Sequence, residues 1–198
     1  MKKGQRERPA VEYPSLEEME AEINRLKYKK SYGSALRGTL YSLAVVAAIA
    51  ILVATLWMPV LQITGASMEP TLVDGQFVVA LKNDAFEPGD ITAFYYNNKI
   101  LIKRVVASAG DWVDIDAAGN VSVNGILLEE PYLQEKSLGE CNIELPYQVP
   151  DGRVFVMGDD RAISLDSRTT AVGCISKEQV LGQVLFRVWP LNAMGRLH

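Results

Sequence analysis

The sequence has very few of the residues that usually build hydrolytic or metal sites. It contains one histidine, His198, which is the last residue, and two cysteines, Cys141 and Cys174. Because chain ends fray readily, we expect neither a Ser-His triad nor a zinc site that depends on histidine. The cysteines lack CxxC spacing, so the sequence predicts no metal and no cofactor. A disulfide and two separate buried thiols both remain compatible with it.

The chain also lacks an excess of basic residues. It carries 20 Lys and Arg against 24 Asp and Glu. This balance is unfavourable for binding a phosphate backbone, so nucleic acid is not expected as a partner. Hydrophobic residues make up 48% of the composition, enough for a folded core. Basic residues outnumber acidic ones in residues 1–38, and the reverse holds in residues 64–198. The two parts are therefore expected to face different surroundings.

Charged residues are missing altogether between Arg37 and Glu69. The apolar run from Leu40 to Leu61 within this gap would span about 33 Å as a helix, and it predicts a transmembrane helix over residues 39–61. Pro59 lies where a regular helix should stop. A buried core helix normally has a polar face, and a cleaved signal peptide has a shorter apolar core, so both alternatives fit less well.

Basic residues cluster on the N-terminal side of this span, and none follows it until Lys82. By the positive-inside rule, residues 1–38 are then cytoplasmic and residues 62–198 extracytoplasmic. The sequence thus predicts a single-pass protein of the cell membrane with its N-terminus in the cytoplasm.

A short helix is predicted within the cytoplasmic segment. Ser15 and Glu18 have the spacing of a capping box. An apolar stripe with helical spacing follows, made of Leu16, Met19, Ile23 and Leu26. The stripe is too short for a coiled coil, so we expect a surface helix that rests on the membrane or on a partner.

The segment beyond the membrane span has the pattern of β-structure. Runs rich in β-branched and aromatic residues cover 76–82, 91–96, 99–108, 121–123, 126–128, 153–158 and 183–189. Asn97 and Asn98 join the second and third runs as a pair suited to a type I′ hairpin, and Asn124 with Gly125 joins another pair. The predicted fold class is mainly β, with one N-terminal transmembrane helix followed by an antiparallel β-domain over residues 62–198.

Without a usable histidine, a hydroxyl nucleophile needs a lysine or a carboxylate as its base. Lys103 stands out because it lies in the apolar run "ILIKRVV", where it would share a strand face with Leu101 and Val105. Burial there disfavours the charged form and lowers the pKa, as a lysine base requires. Taken alone, the pattern also fits a lysine on an edge strand that extends to solvent.

Three motifs together indicate a family. "GASMEPTL" (65–72), "KRVVASAGD" (103–111) and "GDDRAISLDSR" (158–168) follow one membrane span in this order. They closely resemble the three conserved boxes of bacterial type I signal peptidases, the serine-lysine dyad peptidases of family S26. The short stretch between the second and third boxes resembles the compact enzymes of Gram-positive bacteria. "PGD" (88–90) and "VNGILLEEPY" (123–132) extend the resemblance over most of residues 60–190.

The resemblance implies a role for each matching residue. Ser67 would be the nucleophile and Lys103 the general base. Ser164 would supply a second hydroxyl that orients the lysine, while Asp166 and Arg168 would form an ion pair that holds the site together. The backbone N–H of Ser67 would contribute to the oxyanion hole.

Two positions depart from the family pattern. Gly65 stands beside the implied oxyanion hole where some relatives have a serine, so a side-chain donor is lost and the hole would rely on backbone groups, alone or with water. Asp160 stands where the family usually has asparagine, which replaces an amide by an acceptor-only carboxylate.

The implied activity is that of a membrane-bound serine endopeptidase that removes N-terminal signal peptides after small residues. Its partners would be secreted preproteins and membrane lipid, with neither nucleic acid nor metal. An extended substrate could pair with strand edges near residues 62–66 and 99–103. The candidate substrate-binding residues are Gln62, Ile63, Thr64, Ala66, Leu101 and Ile102.

Two alternatives come from other functional classes. A non-catalytic, membrane-tethered chaperone for exported or pilus subunits could share the fold, but it would be expected to lack Lys103. A self-cleaving repressor could use a similar dyad, but it would be cytosolic and bind DNA, which the apolar span and the acidic balance contradict.

Overall fold

The computed structural model describes residues 15–83 and 86–197, and the chain divides into two compact units, Met1–Leu52 and Val53–His198. The first fourteen residues of the predicted cytoplasmic segment and His198 lie outside the described residues. Helix α1, Leu16–Trp57, forms the described part of the first unit and enters the second. The second unit otherwise contains the β-strands.

Helix α1 begins with the predicted capping box. The backbone N–H of Ser15 donates to Oε2 of Glu18 at 2.9 Å, and the N–H of Glu18 donates to Oγ of Ser15 at 3.3 Å. The helix then continues without a break for 42 residues, so the two helices predicted from the sequence are one. By length and composition, its part from Ala35 to Trp57 could cross a membrane.

The helix ends at Trp57, before the predicted boundary at residue 61. Pro59 follows, and its missing N–H and restricted backbone end the helical pattern. Strand β1, Val60–Gln62, pairs with strand β2, Phe77–Leu81, in place of the last predicted turn of helix. That boundary was wrong because the apolar sequence at this point suits a strand as well as a membrane helix.

The strands form two antiparallel sheets, as the predicted fold class requires. The larger sheet adds β3 Ile91–Tyr96, β4 Lys99–Ala107, β9 Arg153–Met157, β10 Ile175–Ser176, β11 Val180–Trp189 and β12 Gly195–Arg196. Its order is β1-β2-β11-β3-β4-β9-β10, with β12 beside β11. The smaller sheet has the order β7-β6-β5-β8 and consists of β5 Trp112–Ile115, β6 Val121–Val123, β7 Ile126–Leu127 and β8 Tyr147–Gln148.

Both predicted hairpins are confirmed. Asn97 and Asn98 have φ angles of 44° and 64°, as the two central residues of a type I′ turn require, and they join β3 to β4. Asn124 and Gly125 have φ angles of 52° and 78° and join β6 to β7. The β3–β4 hairpin lies in the middle of the larger sheet and carries Lys103.

Candidate active site

Ser67 lies in the loop between β1 and β2. The loop is fixed on both sides of the serine, because the backbone of Ile63 exchanges hydrogen bonds with Gln76 and Gly75, and the side chains of Met68 and Leu72 are buried in the core. Buried apolar anchors of this kind hold a polar residue in place without using its own side chain. The hydroxyl of Ser67 therefore remains available for a contact with another group.

Gly65 lies two residues before the serine with a φ angle of 88°. A residue with a side chain rarely adopts this conformation, so the backbone itself favours glycine at the position. Its N–H donates to Oδ1 of Asp74 at 2.7 Å. The serine found here in some relatives would be strained in this loop, which gives a physical reason for the first departure from the family pattern.

Lys103 extends from β4, where it is paired with Thr92 of β3. Its side chain is buried, and Nζ lies within 2.6 Å of Oγ of Ser67, with the lysine as donor. Burial lowers the pKa of Lys103 to about 8, and the positive charge of Arg168 acts in the same direction. Asp166 and Asp159 oppose the shift by raising the pKa. The predicted burial of this lysine is confirmed.

Asp166 and Arg168 form the ion pair expected of them. Nε and Nη2 of Arg168 donate to the two carboxylate oxygens of Asp166, each at 2.9 Å, and both side chains are fully buried. The backbone N–H of Gly158 also donates to Asp166, and Nη1 of Arg168 donates to the carbonyl of Leu138. The pair thus ties the two ends of the third motif together and links the motif to the segment around Leu138.

Ser164 is buried beside the site, but its expected hydrogen bond to the lysine is not formed. Within the described residues its Oγ has no hydrogen-bond partner. Gly158 lies against it and against the backbone of the nucleophile: a Cβ at residue 158 would overlap Ser164 and come within 2.5 Å of the carbonyl oxygen of Ser67. The hydroxyl is close to the Ser67 segment, and its orienting role stays a prediction.

A second buried ion pair, between Arg104 and Asp159, was missed by the sequence analysis. Nε and Nη2 of Arg104 donate to the two Asp159 oxygens at 3.0 and 2.8 Å, and the hydroxyl of Thr71 donates to Oδ2. Nη1 of Arg104 donates to the carbonyl of Gly89, within the "PGD" segment. The pair joins all three motifs, and the available signal was an arginine next to Lys103 within the apolar run "ILIKRVV".

Asp160 is attached to the nucleophile through its backbone. Its N–H donates to the carbonyl of Ser67 at 3.1 Å, while its Oδ1 accepts from the N–H of Ala162 at 3.2 Å. An asparagine could accept the second bond equally well through its carbonyl oxygen. The change from the usual amide therefore leaves these two contacts intact.

A cleft of about 740 Å³ runs beside Ser67 and Lys103. Five of the six predicted substrate-binding residues line it, namely Gln62, Ile63, Thr64, Leu101 and Ile102. Ala66 is not among the lining residues, and its contact with substrate stays a prediction. The rest of the wall comes from the β3–β4 turn and from Val60, Leu61, Gly65 and Met68.

The cleft has a strand with a free edge on each side. Among the described strands, β1 pairs only with β2 and ends the larger sheet. Residues 99–103 of β4 pair only with β3, because pairing with β9 begins at Arg104. Unpaired backbone groups on both walls could accept an extended peptide as an added strand.

Neither cysteine lines the cleft, and the described part of the chain offers no cluster of metal ligands. Cys141 is half-buried, Cys174 is buried, and both are free thiols. Burial raises the pKa of Cys174 to about 11. Within residues 15–83 and 86–197, no group of three or more His, Cys, Asp or Glu side chains is placed to hold a metal ion.

Comparison with known proteins identifies the family. Residues 36–189 match the family model for signal peptidase, peptidase S26. The chain is 36% identical over 151 residues to signal peptidase IB of Staphylococcus aureus, covering 66% of this chain and 77% of the relative. It is 38% identical over 145 residues to the chloroplastic thylakoidal processing peptidase 1 of Arabidopsis thaliana, covering 65% of this chain and 41% of the relative.

A crystal structure of a signal peptidase I from Enterococcus faecalis is also similar, with 27% sequence identity and a TM-score of 0.41 over 50% of this chain and 96% of that chain. The family match covers all three motifs, and the sequence identity to the staphylococcal enzyme extends over most of that enzyme's length. The chain therefore belongs to the signal peptidase family, peptidase S26, and is a hydrolase of that family.

Proposed function

We propose that this chain is a membrane-anchored serine endopeptidase that cleaves signal peptides from exported preproteins, with Ser67 as nucleophile and Lys103 as general base. The observation that carries the proposal is the 2.6 Å contact between Nζ and Oγ, made by a buried lysine whose pKa is lowered to about 8. At pH 7 roughly one such lysine in ten is neutral, compared with fewer than one in a thousand at an ordinary lysine pKa.

The chemistry follows from this contact. Neutral Lys103 takes the proton from Oγ of Ser67 as that oxygen attacks the scissile carbonyl carbon. The resulting ammonium gives its proton to the leaving amine as the C–N bond breaks, which leaves an acyl-enzyme and a neutral lysine. Water then attacks the ester carbonyl and gives one proton to Lys103, which passes it to Oγ of Ser67 as the C–O bond breaks. The signal peptide leaves as a carboxylic acid, which releases its proton to solvent and becomes a carboxylate.

Stabilisation of the oxyanion falls to backbone donors. The N–H of Ser67 would take this role, and Gly65 offers no side-chain donor to assist it. Removing one oxyanion donor from other hydrolases lowers kcat by about 10² to 10³. The chain is thus expected to depend more strongly on the precise backbone position of Ser67.

The substrate binds as an extended strand between the two free edges that flank the cleft. Backbone hydrogen bonds to β1 and to residues 99–103 would fix its register, and alternate side chains would enter the cleft. The family resemblance implies small residues at the first and third positions before the cut, and pockets beside Ile63, Leu101 and Ile102 would receive their side chains.

The helix segment Ala35–Trp57 anchors the enzyme in the membrane, with the β-domain on the outer side. A second feature supports contact with lipid. Phe77, Phe186 and Trp189 lie on one face of the larger sheet, as their pairing registers require, and remain 37%, 49% and 52% exposed.

The orientation is tested by adding a protease to protoplasts. The protease should digest the β-domain and spare the cytoplasmic segment. Protection of the β-domain in intact protoplasts would mean that the proposed orientation is wrong.

The proposal is tested by incubating a purified preprotein with the full-length chain in detergent or lipid vesicles, and with Ser67→Ala and Lys103→Ala. The wild type should release the signal peptide, and N-terminal sequencing of the product should place the cut after a small residue. Both variants should be inactive although each still unfolds in a cooperative thermal transition, which shows that it is folded. Cleavage by folded Ser67→Ala at the wild-type rate would refute the assignment of the nucleophile.

A further inference from the structure

A third buried ion pair joins Glu130 and Arg161, two residues to which the family resemblance assigns no role. Glu130 is in the segment that leaves the smaller sheet after β7, and Arg161 is in the loop that follows β9. The Arg161 guanidinium contacts both Glu130 oxygens, through Nη2 to Oε1 and through Nη1 to Oε2 at 3.4 Å, and the side chains are at most 1% exposed. The hydroxyl of Tyr132 also donates to Glu130 at 3.2 Å.

The guanidinium that Glu130 holds also contacts the backbone of the third motif. Nε of Arg161 donates to the carbonyl of Gly158 at 3.1 Å, and the N–H of the same glycine donates to Asp166 at 3.0 Å. Because the guanidinium is planar, two contacts with Glu130 fix the direction in which Nε points. Gly158 is therefore held from both sides by side chains whose own positions are set by buried ion pairs.

Gly158 in turn determines how closely two groups of the active site approach. Its α-carbon lies against Ser164 and against the carbonyl of Ser67, so closely that a Cβ would be within 2.5 Å of that oxygen. A shift of this glycine therefore changes the place of the Ser67 backbone, whose N–H would stabilise the oxyanion. Glu130 is neither among the residues that line the substrate cleft nor in contact with Lys103.

We propose that Glu130 is a positioning residue for the cleavage reaction, which acts through Arg161 and Gly158 on the backbone of Ser67. The proposal rests on the proposed peptidase function. Since Glu130 lies in the segment that leaves the smaller sheet, this sheet would then help to set the geometry of the active site. Loss of the carboxylate should slow the chemical step and leave substrate binding in the cleft nearly unchanged.

The test measures single-turnover cleavage of a preprotein by full-length chain in detergent, with the enzyme in excess. At saturation this rate does not depend on the fraction of enzyme that is folded, which separates positioning from stability. Glu130→Gln should lower the saturating rate at least tenfold and change the half-saturating enzyme concentration, corrected for the folded fraction, by less than threefold. The matched control is Glu129→Gln, which removes an exposed carboxylate next to it in the chain and should keep the wild-type rate.

Arg161→Lys provides a second variant should Glu130→Gln fold poorly. It keeps the charge opposite Glu130, but an ammonium cannot hold the carboxylate bidentately while it donates to Gly158. A comparable loss of the saturating rate is expected. If both variants kept the wild-type saturating rate and only their melting temperatures fell, the Glu130–Arg161 pair would stabilise the fold without positioning the active site, and the proposal would be overturned. Absence of cleavage by the wild type would instead refute the proposed function.

Discussion

Buried cations occur in two regions of this molecule and are stabilised in different ways. In the framework around the third motif, each buried guanidinium contacts both oxygens of a carboxylate; the pairs are Arg104–Asp159, Arg161–Glu130 and Arg168–Asp166. In the cleft, Lys103 contacts the hydroxyl of Ser67, and no ion pair of this lysine is found in the described part of the chain. Its pKa is lowered to about 8.

The difference follows from the chemistry of the two side chains. A guanidinium keeps its charge at any relevant pH, so burial demands a carboxylate partner. An ammonium can lose its proton, so burial without a carboxylate partner makes it a base. Lys103 and Arg104 are neighbours on β4, and their side chains point to opposite faces of the sheet. The lysine that contacts a hydroxyl and the arginine that contacts a carboxylate are thus one residue apart. The arginines keep the framework rigid, and the lysine supplies reactivity.

The largest effect is expected when the reactive cation is replaced by a permanent one. Lys103→Arg keeps the charge but cannot accept the serine proton, so kcat/KM should fall by at least about 10³. Lys177→Arg makes the same replacement at an exposed lysine and should cleave at the wild-type rate. Retention of near wild-type activity by Lys103→Arg would mean that the base must be sought among the carboxylates.

Gly158→Ala should have the next largest effect, because it disturbs the point where framework and cleft meet. The added Cβ would overlap Ser164 and crowd the Ser67 carbonyl, so the backbone must move. We expect a loss of kcat on the order of 10² or more, since oxyanion donors are sensitive to small shifts. Gly195→Ala is the matched control, because a Cβ there has no neighbour within 4 Å. Equal activity of the two variants would contradict the close packing.

Breaking a framework pair should destabilise the fold and also alter the base. Arg168→Ala leaves Asp166 buried without its cation, which should cost on the order of 3 to 5 kcal/mol of unfolding free energy. The exposed pair of Arg25 and Glu22 is the comparison, worth under about 1 kcal/mol. Denaturant melts measure both. Because Arg168 lowers the pKa of Lys103, the loss of Arg168 should also move the pH midpoint of activity upward. If the unfolding free energy and the pH midpoint both stayed at their wild-type values, Arg168 would have neither role.

The smallest expected effect is a gain of stability. Below its folded pKa of about 8, protonated Lys103 is buried at a cost that the unfolded chain does not incur. Lys103→Met should therefore raise the unfolding free energy near pH 7, by about 1 to 3 kcal/mol, and lose this gain as the pH rises from about 8 toward 10.5. Thermal melts of the variant and the wild type at several pH values would show how the difference in stability depends on pH. A difference that stays constant with pH would mean that burial does not lower the pKa of Lys103.

Sequence patterns predicted those parts of the fold that depend on interactions between residues close together in the chain. The capping box at Ser15, the Asn97–Asn98 turn and the burial of Lys103 all depend on a few consecutive residues and are confirmed. The helix end was misplaced because pairing with β2, and not apolarity, decides the conformation of residues 60 and 61. Short strands such as β5, β8 and β10 were missed for the same reason.

The candidate site was predicted from the three motifs by resemblance, and its supporting contacts were not. The partners in Arg104–Asp159 and Glu130–Arg161 are 55 and 31 residues apart in sequence, and nothing local indicates which carboxylate each arginine meets. The free edges beside the cleft follow from strand order, which is also a long-range property. Ser164 shows the converse: a motif indicated its neighbourhood, but packing against Gly158 decides its contacts.

The most direct test of the dyad is the dependence of kcat/KM on pH for a signal-peptide substrate. Protonated Lys103 cannot accept the serine proton, so activity should fall about tenfold per pH unit below a midpoint near 8 and level off above it. That result would support a buried lysine that acts by losing its proton. A flat profile between pH 6 and 10, or a midpoint near the ordinary lysine value of 10.5, would contradict it.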